Sequence, residues 1–432
     1  MATEGERDAT PFGLLGRKLG HSWSPQIHAA LGSWPYRLVE LEPDEVEPFV
    51  RGREDWQGLN VTIPYKAEAA RLADARSERV RRLGVANTLV RRKDGTIFAD
   101  NTDVLGFSWL LEDFCRRELG ASAREALGGR EAIVLGSGGA SRAVVPVLRD
   151  AGCRTSVISR TGEDTYKTLL ERHADTALVV NTTPVGTYPD CPASPLKPGV
   201  LERIGSLAGV VDVVYNPERT GICLEAERLH IPSQSGLGML VSQAYFASQL
   251  FQGRSLPSHL VGDICQDIAH KSRNIALIGM PGVGKTTTGR QLARIENRPF
   301  VDLDDAFEIA HGMSAAECIE RRGEEEFRRL ETAACADWCS RSGLVVSCGG
   351  GIVTRPENYA LLHQNATIVM LERPIEELSQ RGRPLSQDRG VEELARQRMH
   401  LYQQWADLRI QCTGSPQGDA REILAALGRP VA

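Results

Sequence analysis

An α/β chain built on parallel sheets is what this sequence predicts, on three observations. Short apolar runs alternate with helical patterns along nearly the whole length. Two of those runs break into glycine turns that open helices, one at Gly136-Ser-Gly138-Gly139-Ala140-Ser141 and one at Gly279-Met-Pro-Gly-Val-Gly284-Lys285-Thr286. The length, 432 residues, exceeds what one core serves, so two or three domains are expected.

Composition narrows the classes. Hydrophobic (41%) and charged (25%) fractions are those of an ordinary globular protein. A formal net charge of −5 argues against a nucleic-acid partner. The charged N-terminal stretch lacks an apolar signal region and no long apolar run occurs, so no membrane partner is expected. The ten cysteines are scattered without a C-x-x-C, which suits thiols in a reducing compartment and a cytoplasmic location.

In chain order, Phe12–Leu15 reads as a strand ended by Gly16. Ser24, as N-cap, and Pro25 open a helix to about Leu31. Strands Tyr36–Leu41 and Leu59–Ile63 flank a helix over Glu45–Arg51, and one long charged helix is expected from Lys66 to Leu83. Ala86–Arg92 and Thr96–Ala99 pair as a hairpin across Asp94-Gly95, a type I′ turn sequence. The basic cluster Arg81, Arg82, Arg91, Arg92 and Lys93 reads as a solvated face.

Next comes a βαβ unit of the dinucleotide-binding type: strand Glu131–Leu135, the glycine turn, a helix to Leu148, and strand Arg154–Ser159. Ser141 fills the third glycine position of that turn. Arg160 stands where an acidic residue usually bonds a ribose 2′-hydroxyl. A guanidinium suits a 2′-phosphate, so NADP(H) is favoured over NAD(H). Strands Leu178–Val180 and Val210–Val214 end at Asn181-Thr-Thr-Pro and Tyr215-Asn-Pro, where they should line the same crevice. Helices over 237–252 and 257–270 follow, and His270–Arg273 reads as a polar linker.

The last region opens with the full G-x-x-x-x-G-K-T pattern between a strand and a helix starting at Thr287. Gly282 and Gly284 let backbone N–H groups curl around a phosphate, Lys285 neutralises the outer phosphates, and Thr286 is a candidate Mg²⁺ ligand. A nucleoside triphosphate is the expected ligand. A strand Phe300–Asp304 would set Asp302 and Asp304 on one side, near the loop. A helical segment from Gly323 to Glu331, strand Leu344–Ser347 into Gly349–Gly351, strand Thr367–Leu371, a loop with Arg383, and Arg398 on a late helix complete a small parallel domain. The expected domains are 1–105 with 240–270 returning to it, 106–239 for the dinucleotide, and 274–432 for the P-loop unit.

Four polar clusters flank the dinucleotide unit: His21-Ser22-Trp-Ser24-Pro25, Asn60-Val-Thr62-Ile-Pro-Tyr-Lys66, Ala86-Asn87-Thr88 and Asn101-Thr102-Asp103. Singly they can be caps, turns and an exposed lysine. Together they suit a small polyhydroxylated, anionic substrate held by neutral donors.

On these residues the chain resembles two families in series. Residues 12–252 resemble the shikimate dehydrogenases through HSWSP, NVTIPYK, GVANTL, DNTD, VLGSGGASRA, NTTPVG, VYNP and GLGMLVSQA. Residues 274–432 resemble the shikimate kinases through the P-loop, DLD, GEEEFRRLE, GGG and RPL. The resemblance implies an N-terminal α/β substrate domain, a Rossmann-like NADP domain and a P-loop kinase domain. It implies two consecutive reactions, NADPH-dependent reduction of 3-dehydroshikimate to shikimate and ATP-dependent phosphorylation of shikimate.

In the first half it makes Lys66 and Asp103 the catalytic pair, with Lys66 as the acid. Ser22 and Ser24, with Tyr215, would hold the substrate carboxylate; Asn60, Thr62, Asn87 and Gln243 would reach the ring hydroxyls. Gly136, Gly138, Gly139, Ala140, Ser141, Ser159, Arg160 and Thr161 would bind the cofactor, with Gly236 and Met239 near the nicotinamide. This chain has Ser159 where the family usually has Asn, and Thr187 where it usually has Met. In the second half Gly282, Gly284, Lys285, Thr286 and Thr287 would hold ATP, with Lys285 also catalytic. Mg²⁺ would sit at Thr286 and Asp302, and Asp304 would be the base. Arg328, Gly350 and Arg398 would bind shikimate, and Arg383 would reach the transferring phosphate. Two alternatives remain: a quinate/shikimate dehydrogenase fused to a kinase, or a metabolite-sensing regulator without catalysis, although none of Lys66, Asp103, Lys285 and Asp304 is missing.

Overall fold

The computed structural model describes residues 11–20, 22–378 and 390–429. The α/β expectation holds. The chain divides into two compact units. The first runs to Pro184 and adds Pro195–Tyr215 and Glu225–Ile268; the second holds Val185–Ser194, Asn216–Leu224 and the chain from Ala269 on.

Two sheets make the first unit. One has six strands, β1 (Phe12–Gly16), β2 (Tyr36–Glu40), β3 (Gly58–Val61), β4 (Ala75–Arg76), β5 (Thr88–Arg91) and β6 (Ile97–Asp100), in the order β2-β1-β3-β5-β6-β4. It is mixed: β1 runs parallel to β2 and β3, while β5 is antiparallel to both its neighbours. The other is wholly parallel, with β7 (Glu131–Leu135), β8 (Arg154–Ile158), β9 (Leu178–Asn181), β10 (Gly209–Asp212) and β11 (Ser233–Gln234) in the order β11-β10-β9-β7-β8. The near-continuous apolar runs of β7, β9 and β10 follow from helices covering both faces of a parallel sheet.

Helices Thr102–Glu118 and Leu237–Gln252 pack closely along each other within this unit. Small residues set the approach. A Cβ on Gly106 would stand 2.8 Å from the Cβ of Gln243 and 2.9 Å from the Met239 carbonyl oxygen.

Three local expectations are corrected. The long helix expected from Lys66 to Leu83 is two, Lys66–Leu72 and Glu78–Leu83, because Ala75–Arg76 pairs with β6 and Ser77 caps the second helix by accepting from Val80 N. The hairpin turn is not type I′, since Gly95 alone has positive φ (+82°) where that turn needs two such residues. Residues His270–Ser272 are the last turn of helix Leu260–Ser272, not a linker, because Val261, Ile264 and Ile268 keep one apolar face buried.

The second unit is a five-stranded parallel sheet of β12 (Asn274–Ile278), β13 (Phe300–Asp302), β14 (Val345–Ser347), β15 (Ala366–Glu372) and β16 (Leu408–Gln411), ordered β13-β14-β12-β15-β16. Every residue of the central β12 is buried. The P-loop helix starts at Lys285, two residues before the expected start, and runs to Glu296. Asp304 is not on a strand: β13 stops at Asp302, whose side chain caps helix Leu303–His311 by accepting from Asp304 N at 3.0 Å.

Candidate active sites

In the first unit the polar clusters converge. Lys66 opens its helix, and its Nζ donates to Asp103 Oδ2 at 2.6 Å. The other carboxylate oxygen, Oδ1, accepts from Asn87 Nδ2 at 2.8 Å, and that same nitrogen lies 3.4 Å from Gln243 Oε1. The orientation of the Asn87 amide is forced. Its Oδ1 accepts from Thr102 N at 2.7 Å, an obligate donor, and from the hydroxyls of Thr88 (3.0 Å) and Thr102 (3.2 Å). Asn60, buried on β3, accepts from Tyr36 OH at 2.9 Å. Its Nδ2 lies 3.3 Å from Thr88 Oγ1 and 3.4 Å from the Asn87 carbonyl oxygen.

The pair is only partly buried, with side-chain exposures of 25% for Lys66 and 18% for Asp103, so a ligand can reach it. Lys66 keeps two of its three donors for such a ligand. Ser22 Oγ accepts from Ser24 N at 3.2 Å and donates to Ser24 Oγ at 3.1 Å, which sets both hydroxyls side by side. The cap of that helix is Trp23, one residue earlier than expected, and Ser24 lies inside its first turn.

The dinucleotide turn is open. A Cβ on Gly138 or Gly139 would meet nothing within 4 Å, whereas one on Gly136 (φ +97°) would stand 2.7 Å from Thr183 Cγ2. Helix Gly139–Asp150 begins at the turn and offers its N-terminal N–H groups there. Ser141 is buried and its Oγ donates to the Gly138 carbonyl oxygen at 2.7 Å, which explains a serine at the third glycine position. Arg160 and Thr161 are exposed just past β8, and the Ser159 hydroxyl donates to the Thr161 carbonyl oxygen. Gly236 passes so near β10's end that a Cβ would meet the Val213 carbonyl oxygen at 2.1 Å. Met239 is buried in the core of this sheet, and Tyr215 is half-buried, its phenol pushed up by burial.

In the second unit a cleft of about 540 Å³ is lined by the P-loop, Asp304, Arg328, Glu331, Gly349–Gly351 and Arg398. Gly282 and Gly284 both have positive φ (+89° and +112°), the conformation that turns successive N–H groups inward. Lys285 Nζ donates to the carbonyl oxygens of Gly279 (2.9 Å) and Met280 (3.1 Å). Thr286 Oγ1 donates to Asp302 Oδ2 at 2.7 Å and lies 3.4 Å from Ser347 Oγ. A hydroxyl beside a carboxylate is an oxygen donor set of the kind a hard cation such as Mg²⁺ takes.

Asp304 lines this cleft and is exposed to it. Desolvation, then the charges of Asp302 and Glu331, push it up to about 6 against Lys285 and Arg328. Two buried guanidiniums face the same space. Arg328 Nη1 pairs with buried Glu331 at 2.6 Å, and Arg398 Nη1 donates to the Gly350 carbonyl oxygen at 3.1 Å. The Nε of each is buried with no hydrogen-bond partner among the described residues. Tyr402 OH also donates to the Gly350 carbonyl oxygen, which fixes the glycine loop. Buried cations with donors to spare are stabilised by an anion.

Thus the structure gathers Lys66, Asp103, Asn87, Gln243 and, through Thr88, Asn60 in one hydrogen-bonded array, and the kinase-side residues around one cleft. Thr62 is half-buried at the end of β3, where its N donates to the Leu15 carbonyl oxygen. Thr287 is exposed, its hydroxyl donating to the Gly284 carbonyl oxygen at 2.9 Å. Ala140 lies in the helix that follows the glycine turn. Arg383 lies outside the described residues. The sequence reading gave no role to Tyr36, Glu331 or Tyr402, and named Thr88 and Thr102 only as members of their polar clusters. Glu331 and Tyr402 had a signal, since they lie three and four residues after Arg328 and Arg398 on the same helices.

Comparison with known proteins finds a family match in each half of the chain. The shikimate dehydrogenase substrate-binding domain matches residues 14–89, and the shikimate kinase family matches residues 281–428. A shikimate dehydrogenase (NADP(+)) of Paracidovorax citrulli is 36% identical over 275 residues, covering 57% of this chain and 92% of the relative. One from Methylobacterium radiotolerans is 37% identical over 265 residues, 55% of this chain and 89% of the relative. Among solved structures, a shikimate 5-dehydrogenase of Thermus thermophilus in complex with NADP(H) and shikimate matches with TM-score 0.51 and 30% identity, over 60% of this chain and 99% of its own. A chorismate mutase/shikimate 5-dehydrogenase fusion from Clostridium acetobutylicum matches with TM-score 0.53 and 31% identity, over 60% of this chain and 97% of its own. No described helix is long and apolar enough to cross a membrane. By these matches the chain belongs to the shikimate dehydrogenase family and carries a shikimate kinase domain behind it.

Proposed function

We propose that this chain reduces 3-dehydroshikimate to shikimate with NADPH and then phosphorylates shikimate at its 3-hydroxyl with ATP. One observation carries the reading. Each unit holds its own charged array with bonding capacity left over: an ammonium on a carboxylate in the first, and two buried guanidiniums facing a carboxyl across a phosphate loop in the second.

In the reductase, bound NADPH supplies the hydride. Negative charge gathers on the carbonyl oxygen, and Lys66 stabilises it and gives it a proton. Asp103, whose two oxygens accept from Lys66 and Asn87, holds the ammonium in place beside the substrate. Asn60, Thr62, Asn87 and Gln243 meet the ring hydroxyls; Ser22, Ser24 and Tyr215 hold the carboxylate. Gly136, Gly138, Gly139, Ala140 and Ser141 cradle the pyrophosphate, Ser159, Arg160 and Thr161 take the 2′-phosphate, and Gly236 and Met239 border the nicotinamide.

In the kinase, positioning and neutralisation matter more than covalent chemistry. Gly282, Gly284 and Thr287 place the phosphates, and Lys285 leaves its loop carbonyls for them. Thr286 and Asp302 would hold Mg²⁺, which supplies further neutralisation. Asp304 accepts the proton of the attacking hydroxyl, while Arg328, Arg398 and the N–H groups around Gly350 grip the carboxylate, and Arg383 completes the charge at the transferring phosphate. None of the ten cysteines is in a disulfide, which supports a cytoplasmic setting.

Separate inactivation tests the assignment. Lys66→Ala abolishes NADPH oxidation with 3-dehydroshikimate while phosphorylation of shikimate survives, and Asp304→Asn does the reverse. Either variant retaining its own reaction near the wild-type rate overturns that site.

A further inference from the structure

Tyr36 belongs to no catalytic cluster, yet it touches the array. It starts β2 opposite Phe12 on β1, and Asn60 on β3 lies opposite Leu14, so the phenol must reach across β1 to the amide. It does: Tyr36 OH and Asn60 Oδ1 are 2.9 Å apart, both residues buried. Direction is fixed from the other end of the amide. Asn60 Nδ2 faces the Asn87 carbonyl oxygen (3.4 Å), a group that can only accept, so Oδ1 is the end turned to the phenol and the phenol donates.

The ring itself is held. His28 stacks on Tyr36 with centroids 4.1 Å apart and an interplanar angle of 8°, and His28 in turn lies 5.7 Å from Phe251. His28 is fully buried, and burial lowers its pKa to about 3, so the stack is neutral. A clamped phenol with one hydroxyl direction leaves Asn60 one orientation. From Asn60 the bonds continue through Thr88 Oγ1 (3.3 Å) to Asn87 Oδ1 (3.0 Å), and thence to Asp103 and Lys66.

We infer that Tyr36 is a positioning residue of the reductase: its hydroxyl locks the Asn60 amide, whose two N–H groups face Thr88 and Asn87, so that Asn60 presents the second lone pair of Oδ1, not an N–H, to a substrate ring hydroxyl. This rests on the assignment of Asn60 to the shikimate-binding set. Without the lock the amide can turn over, and a site that offers a donor where it offered an acceptor binds the substrate less well. The effect belongs to binding, because Lys66 and Asp103 retain their own contact.

The test is Tyr36→Phe in the full chain, which removes one oxygen and keeps the stacked ring. The expected result is a three- to tenfold rise in KM for 3-dehydroshikimate, with kcat within about twofold and the KM for NADPH unmoved. A merely structural role would instead lower kcat and the melting temperature together. A double-mutant cycle with Asn60→Ala separates routes: the Tyr36→Phe effect on KM should disappear once Asn60 is truncated. The weaker partner can be checked by Thr88→Val, which leaves the phenol–amide bond in place and so should raise KM by less than Tyr36→Phe does. An unchanged KM in Tyr36→Phe, or an equal rise in the Asn60→Ala background, overturns the inference while leaving the reductase assignment intact. A wild-type chain with no reductase rate overturns both.

Discussion

At the scale of single residues, the two sites differ in how they treat charge. Arg160, proposed above to take the 2′-phosphate, is exposed past β8. Losing one charge-assisted contact of this sort costs about 1.5–3 kcal/mol. Arg160→Ala should therefore raise the KM for NADPH at least tenfold and leave that for NADH little changed; equal shifts for both cofactors would remove the 2′-phosphate role. Arg328 is the opposite case, buried and tied to Glu331. A methyl on Gly351 would stand 2.0 Å from its Nη1. Gly351→Ala should displace that guanidinium and raise the KM for shikimate in phosphorylation, with NADPH oxidation unaffected, as paired initial-rate assays would read.

At the scale of elements, the most informative contact is Gly106 against the backbone of helix Leu237–Gln252. Adding bulk there overpacks two buried helices, at a typical cost of about 1–3 kcal/mol. Gly106→Val should lower the urea midpoint of the first unit and, by pushing Gln243 away from Asn87, slow reduction more than phosphorylation. Glycine turns and strand ends were legible in the sequence because a phosphate needs bare N–H groups, and only certain residues give them. The same cannot be said of Lys66–Leu83, where helical periodicity ran on through Ala75–Arg76; pairing with β6 interrupted it, and a two-residue strand has no pattern of its own. Asp302 and Asp304 fooled the strand period for a related reason. Asp302 uses its side chain to end the strand and cap a helix, so the spacing that suggested one face of a strand is a first helical turn.

For the whole molecule, the order of its motifs along the chain was readable, and so was the pair of reactions. Who supports the catalytic groups was not. Tyr36 looks like any strand aromatic, and the bond it donates joins residues 24 positions apart. The thiols offer a test at this scale. Cys335 and Cys348 are buried; the hydrogen bond with Cys339 and then burial push Cys335 well above ordinary thiol values, burial and then the Cys339 thiol do so for Cys348, and burial pushes Cys115 up to about 12. Native protein at pH 8 should thus react slowly at these positions with a thiol reagent and keep both activities, while urea exposes all ten. Rapid loss of kinase activity on native labelling would mean that Cys348, beside the cleft, is open to solvent.

The amide of Asn87 has one more consequence. Its oxygen is fastened by Thr102 and Thr88, so it cannot rotate, and its nitrogen is what stands against Asp103. Hydrolysis of that amide to an acid, as slow ageing does to asparagines, would exchange a hydrogen-bond donor for a second negative charge a few ångströms from the first. The lysine would then be shared between two anions and would surrender its proton less readily, so stored enzyme damaged at this position should fade as a reductase while persisting as a kinase.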